Sequence, residues 1–70
     1  MHKNVEVLIG RLATNPGFRR RFAEQPIEAL REQGLELNEI ELHALAATDP
    51  DVFHRIAQAL DARLKRAKEN

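Results

Sequence analysis

The residues best suited to metal chemistry in this sequence are its histidines, His2, His43 and His54. If the segments around them are helical, Glu39 lies one turn from His43 and Asp51 lies one turn from His54, so each pair could place a carboxylate beside an imidazole. A zinc site needs three or four such ligands that converge, and the sequence has no His-Glu-x-x-His motif. We therefore predict surface histidines, with no metal and no cofactor.

The carboxylates offer no stronger case for catalysis. Glu24, Glu28 and Glu32 are spaced by four and would line one helix face, where we expect a solvated and mildly self-repelling stripe. The sequence has no cysteine, no glycine-rich phosphate loop and no Gly-x-Ser-x-Gly motif. The prediction is a protein that is not an enzyme and has no catalytic residues.

Three consecutive arginines, Arg19 to Arg21, lie between two phenylalanines and raise the question of nucleic-acid binding. Successive helical residues point about 100° apart, so the three arginines would wrap the helix and form no flat patch. A helix–turn–helix over residues 26–47 would carry acidic side chains where base-reading residues belong. The sequence therefore argues against nucleic acid as the partner, and a small DNA-associated regulator is the weakest alternative.

Composition limits the chain to one small domain. It has 70 residues, 43% of them hydrophobic, and a formal net charge of zero. Residues 1–21 hold five basic residues and one acid, residues 24–51 hold eight acids and one base, and residues 52–70 hold five basic residues and two acids. This division could help the segments pack together.

The absence of cysteine and of any long apolar run favours the cytoplasm and argues against a membrane.

The most strongly specified stretch runs from Pro26 to Leu42, and its first half predicts a helix and its stop. Pro26 suits the first helical position, and Gly34 suits the position just after the helix end, which needs a positive φ. Leu35 would then contact Leu30, as in a Schellman motif.

The second half of this stretch predicts the start of the next helix. Asn38 and Glu41 have the spacing of a capping box. Leu37 and Leu42 have the spacing of a hydrophobic staple.

Periodicity and cap signals predict an all-α fold, a compact bundle of four to five short helices in a single domain over residues 1–70. The predicted helices span residues 5–14, with Asn4 as N-cap, residues 16–24, with Asn15 as N-cap, residues 26–33 and 39–47, and residues 50–68, with Asp49 as N-cap. Phe18, Phe22 and Phe53, the only aromatic residues, are predicted to lie in the core.

The last predicted helix has two apolar faces. One is a stripe of Phe53, Ile56, Leu60, Leu64 and Ala67. The other carries Ala59 and Ala62, flanked by Arg55 and Arg66. The small residues of this second face either admit a partner helix or only supply helix propensity.

The run from Leu12 to Leu45 resembles a clan of small helical domains. The matching positions are Asn15-Pro16-Gly17-Phe18, Phe22 to Pro26, Ala29-Leu30, Gly34-Leu35 and Asn38 to Glu41. The clan includes the small helical subunit of extradiol ring-opening dioxygenases. It also includes the leader or recognition domains of ribosomally made, post-translationally modified peptide (RiPP) precursors, namely nitrile-hydratase-like leader peptides and borosin-type precursors. The resemblance implies a non-catalytic domain that docks on an enzyme.

One feature of the sequence departs from such precursors. A precursor would continue into a core segment rich in Cys, Ser, Thr or Gly, whereas residues 59–70 have the pattern of a basic helix. This leaves two alternatives, a stand-alone recognition protein and a precursor chain shortened before its core.

The resulting hypothesis is a protein-binding module, either a leader-like recognition domain or a small accessory subunit, that docks on a partner enzyme. We predict contacts through Arg19, Arg20, Leu35, Leu37 and Ile40. A structural homodimer that completes its core across a two-fold axis is the main alternative.

Overall fold

A computed structural model describes the backbone of residues 2–69 and the side chains of residues 2–65. These residues form five α-helices and no strand, which confirms the predicted all-α class. The helices are α1 (Lys3–Thr14), α2 (Pro16–Glu24), α3 (Pro26–Glu32), α4 (Glu39–Thr48) and α5 (Pro50–Glu69).

The α1–α2 and α4–α5 junctions are built in the same way, from Thr-Asn-Pro and Thr-Asp-Pro. The Asn15 side chain accepts a 3.0 Å hydrogen bond from the Phe18 amide, and the Asp49 side chain accepts one of 3.2 Å from the Val52 amide. Each side chain satisfies an amide that a helix N-terminus leaves unpaired. The predicted caps of α2 and α5 are thus confirmed.

The predicted start of α1 is wrong. The helix begins at Lys3 and its N-cap is His2, whose side chain makes no capping hydrogen bond. The Glu6 amide donates to the His2 carbonyl at 3.1 Å, which adds backbone hydrogen bonding ahead of Asn4. No proline fixes this start, so propagation of the helix outweighs the local preference of asparagine for the cap.

The core takes side chains from all five helices and from the α3–α4 connection. Its buried members are Val5, Leu8, Phe18, Phe22, Ala29, Leu30, Leu35, Leu45 and Ile56. The predicted burial of Phe18 and Phe22 is confirmed. Phe53 is only half-buried and packs against the edge of this core.

Helix α3 lies between α2 and α5 and packs against both. Helix α4 packs against α1 and α5, whereas no Cα atom of α2 lies within 8 Å of a Cα atom of α5 among the described residues. Side chains of α2 and α5 face each other across the gap between these two helices. In the described part of the chain, no helix has the length and apolar character that a membrane crossing requires.

Candidate interaction surface

An apolar cleft lies between α3, the α3–α4 connection, α4 and α5. We call it the leucine cleft, and its volume is about 230 Å³. It is lined by Ile27, Leu30, Arg31, Glu36, Leu37, Leu42, Ile56 and Leu60. It is therefore bordered by the Pro26–Leu42 stretch on one side and by α5 on the other.

The stop of α3 sets one wall of the leucine cleft. Gly34 has φ +66°, and it is the only residue with positive φ in the described chain. The Leu35 amide donates to the Leu30 carbonyl at 2.8 Å, and the Gly34 amide donates to the Arg31 carbonyl at 3.1 Å. These bonds define a Schellman motif, which confirms the prediction.

The start of α4 fixes the opposite end of the same connection. The Glu41 amide donates to the Asn38 side chain at 2.8 Å, and the Asn38 amide donates to the Glu41 carboxylate at 2.9 Å. Both bonds of the predicted capping box are present. The predicted staple residues, Leu37 and Leu42, are both half-buried, and both line the cleft. Because both ends of the connection are hydrogen-bonded locally, Leu37 is held over the cleft by a short and well-defined segment.

Helix α5 extends the cleft onto open surface. Along its predicted stripe, the exposed fraction rises from 2% at Ile56 to 38% at Leu60 and 61% at Leu64. Every described residue from Asp61 to Lys65 is exposed, so this part of the helix lies beyond the core. Arg66 and Ala67, which the sequence placed on the two apolar faces, lie outside the described side chains.

An ion pair marks the polar rim of the leucine cleft. The Arg31 Nε lies 3.5 Å from the Glu36 Oε1, and both side chains are largely exposed. Exposed pairs of this kind contribute little to stability. They can still orient a partner, because charges at an interface rim act mainly on specificity and association rate.

The structure separates the five predicted contact residues. The prediction of Leu35 as a contact residue is wrong. Leu35 is only 5% exposed and belongs to the core, so it offers no surface to a partner. Its burial follows from the Schellman motif, in which the residue after the glycine contacts the preceding helix. Leu37 lines the leucine cleft, whereas Ile40 is 66% exposed and is not among the cleft residues.

The two predicted arginine contacts, Arg19 and Arg20, are exposed on α2, away from the leucine cleft. Arg19 also has a structural role, since its guanidinium donates to the Leu12 carbonyl near the end of α1 at 2.9 Å. With Arg55, it borders a second hollow of about 210 Å³, which we call the arginine hollow. This hollow is lined by Leu12, Arg19, Phe22, Ala23, Val52 and Arg55, across the gap between α2 and α5.

The sequence did not single out Leu60 and Leu64 as contact residues, although a signal was present. The predicted stripe from residue 53 to residue 67 is about 21 Å long. Of its described residues only Ile56 is buried in the core, so the stripe continues onto open surface.

The predicted solvated stripe of Glu24, Glu28 and Glu32 on one helix is wrong, because Glu24 is the last residue of α2 and the other two, on α3, form ion pairs. Glu32 forms a two-point ion pair with Arg21 of α2, with distances of 2.9 and 3.2 Å, and Glu28 pairs with Arg63 of α5. Basic residues of the flanking segments thus meet the acidic middle segment, as the charge division suggested.

The Arg21–Glu32 contact shifts the ionisation of both groups. Its hydrogen bonds lower the pKa of the Glu32 carboxyl and raise the pKa of the Arg21 guanidinium. These pKa shifts concern the contact between α2 and α3. Neither Arg21 nor Glu32 lines the leucine cleft or the arginine hollow.

The three histidines are exposed. Among the described residues, no group of three or more His, Cys, Asp or Glu side chains is placed to hold a metal ion. None of the ion pairs between described residues involves a histidine.

Comparison with protein-family models, curated proteins and solved structures finds no significant match for this chain. Its resemblance to the leader-domain clan therefore stays a prediction.

Proposed function

We propose that this chain is a non-enzymatic recognition domain or small accessory subunit that docks on a partner enzyme through the leucine cleft and Leu64. The observation that carries the proposal is the run of apolar surface from the cleft onto Leu60 and Leu64. The partner class, a peptide-modifying or dioxygenase-type enzyme, comes from the family resemblance.

The energetics of the two leucines support docking. Their exposed fractions, 38% and 61%, together amount to about one fully exposed leucine. Covering that surface contributes about 2 kcal/mol, which corresponds to about a 30-fold tighter Kd. The Arg31–Glu36 pair at the rim would set the orientation of the partner.

The distribution of polar groups supports a role without catalysis. None of the buried residues among those described is polar or charged. The pKa values of catalytic acids and bases are usually shifted by burial in a pocket, and in the described part of this chain the titratable side chains are exposed or half-buried.

A homodimer is the second candidate, favoured by the same exposed leucines on α5. Sedimentation equilibrium of the purified protein separates the two. The docking proposal predicts a monomer at all accessible concentrations, and a concentration-dependent dimer would support the alternative.

A pair of variants then tests the surface itself. Leu64→Glu should weaken binding to the partner enzyme by about tenfold or more without changing the thermal stability of the free protein. Ala47→Glu places the same charge at an exposed position on α4, outside the leucine cleft and away from Leu64, and should bind as the unmodified protein does. Equal effects of the two substitutions would contradict the assigned surface.

A further inference from the structure

The arginine hollow is distinct from the leucine cleft, and the two share no residue. Its floor is apolar: Phe22 is buried, and Leu12 and Val52 are half-buried. Arg19 and Arg55 supply its charged rim and are exposed. The site thus combines a place for an apolar side chain with two cations.

Neither arginine of the rim forms an ion pair with a carboxylate of the described residues, a state that they share with Arg11 and Arg20. Arg21, Arg31 and Arg63 each form an ion pair with a glutamate. Among the described residues, Arg19 and Arg55 form none, and Arg19 uses only part of its donor capacity on the Leu12 carbonyl. A guanidinium carries five N–H donors, so both groups retain donors for a carboxylate.

The size of the hollow matches one side chain. A cavity of about 150 Å³ accepts a benzene ring, and this hollow has about 210 Å³. It is open to solvent, so a phenylalanine or leucine side chain of a partner could enter while its backbone stays outside.

The surroundings of the hollow favour one orientation of the bound segment. It adjoins a wider depression that shares Ala23 and Arg55 and also contains Asp51 and His54. Asp51 would repel a second carboxylate at that end. Acidic groups are therefore expected over Arg19 and Arg55 and not beyond them.

We propose that the arginine hollow binds an acidic amphipathic peptide segment, which inserts one large apolar side chain between Leu12, Phe22 and Val52 and places carboxylates on Arg19 and Arg55. A nucleic acid fits the same surface less well, because phosphates gain nothing from an apolar floor and the chain has no net positive charge. This inference is independent of the leucine cleft and does not rest on the proposed enzyme partner.

The test uses three fluorescein-labelled synthetic peptides and fluorescence anisotropy. In the first, a phenylalanine and a leucine one helical turn apart are flanked by glutamates. The second has glutamines in place of the glutamates, and the third has lysines. The glutamate peptide should bind, the glutamine peptide should bind about tenfold more weakly, and the lysine peptide should not bind.

Variants of the protein locate the site. Arg19→Gln and Arg55→Gln should each weaken binding of the glutamate peptide about two- to fivefold. Ala23→Leu should abolish binding, because its side chain would fill the hollow. Lys65→Gln removes one positive charge and Ala47→Leu repeats the alanine-to-leucine change, both at exposed positions outside the hollow, and neither should have an effect.

Circular dichroism of each variant confirms that it folds, and Arg55→Gln keeps the test valid if loss of the Arg19–Leu12 contact disturbs the fold. The proposal is overturned if the glutamate and glutamine peptides bind equally, if no peptide binds, or if Ala23→Leu binds normally. Binding of a duplex DNA of mixed sequence in place of the glutamate peptide would also overturn it.

Discussion

Replacing Gly34 with alanine perturbs the corner that holds Leu37 over the leucine cleft. Gly34 adopts φ +66°, and a side chain placed there would meet no atom within 4 Å. The cost of Gly34→Ala is therefore a backbone cost and not a steric clash. A left-handed conformation costs an L-residue about 1–2 kcal/mol.

The unfolded chain offsets part of this cost. Alanine has fewer unfolded conformations than glycine, which returns about 0.4–1 kcal/mol. We therefore expect Gly34→Ala to lower the free energy of unfolding by about 1 kcal/mol. For a domain of this size, that corresponds to a fall in Tm of about 4–8 °C.

Gly10 provides a matched control with the opposite expected sign. It lies inside α1, and an added side chain would also meet no atom within 4 Å. Gly10→Ala should raise stability by about 1 kcal/mol, because alanine is the better helix former.

Both variants can be measured by urea denaturation followed by far-UV circular dichroism, together with thermal melting. Stabilisation by Gly34→Ala comparable with that by Gly10→Ala would refute the Schellman assignment.

Two further predictions concern the contacts that hold the helices in place. The pKa of Glu32 is lowered in the folded protein. Its pair with Arg21 therefore stabilises the fold at pH values above 4.5, the ordinary pKa of this carboxyl. This stabilisation is lost as the pH falls through the lower pKa of the folded state. The difference in free energy of unfolding between the unmodified protein and Glu32→Gln, measured by urea denaturation from neutral to acidic pH, should therefore disappear in acid. Asp61→Asn serves as an exposed control. A difference that stays constant with pH would contradict the assigned Arg21–Glu32 ion pair. Asn38→Ala should lower the free energy of unfolding by about 1 kcal/mol through loss of the α4 cap. Glu39→Gln keeps the cap and should lower the free energy of unfolding by less in the same urea titration. Equal losses would show that the capping box is not the cause.

The parts of the fold that the sequence predicted are those decided by local chemistry. Gly34, Asn38 and the Asx-Pro pairs act within one helical turn, so their roles follow from neighbours in the chain. The start of α1 was missed because no comparable signal marks it. Asn4 only has a preference for the cap, and the helix continues past it to Lys3.

The parts that sequence reasoning missed depend on distant residues. The pairing of Glu32 with Arg21, and of Glu28 with Arg63, joins different helices and cannot be derived from helix periodicity. The arginine hollow likewise arises only because α2 and α5 face each other across a gap. Leu35 is different, because its predicted contact with Leu30 already required it to be buried, and its choice as a partner contact conflicted with that requirement.

The central claim, that the leucine cleft and Leu64 form a docking surface for an enzyme, is tested most directly by photocrosslinking from position 64. A benzophenone-bearing amino acid replaces Leu64 in the cells that make the protein, and position 47, exposed on α4, serves as control. The account predicts one dominant adduct from position 64, identified by mass spectrometry as an enzyme, and none from position 47. An adduct of two copies of this chain, or equal adducts from both positions, would contradict it.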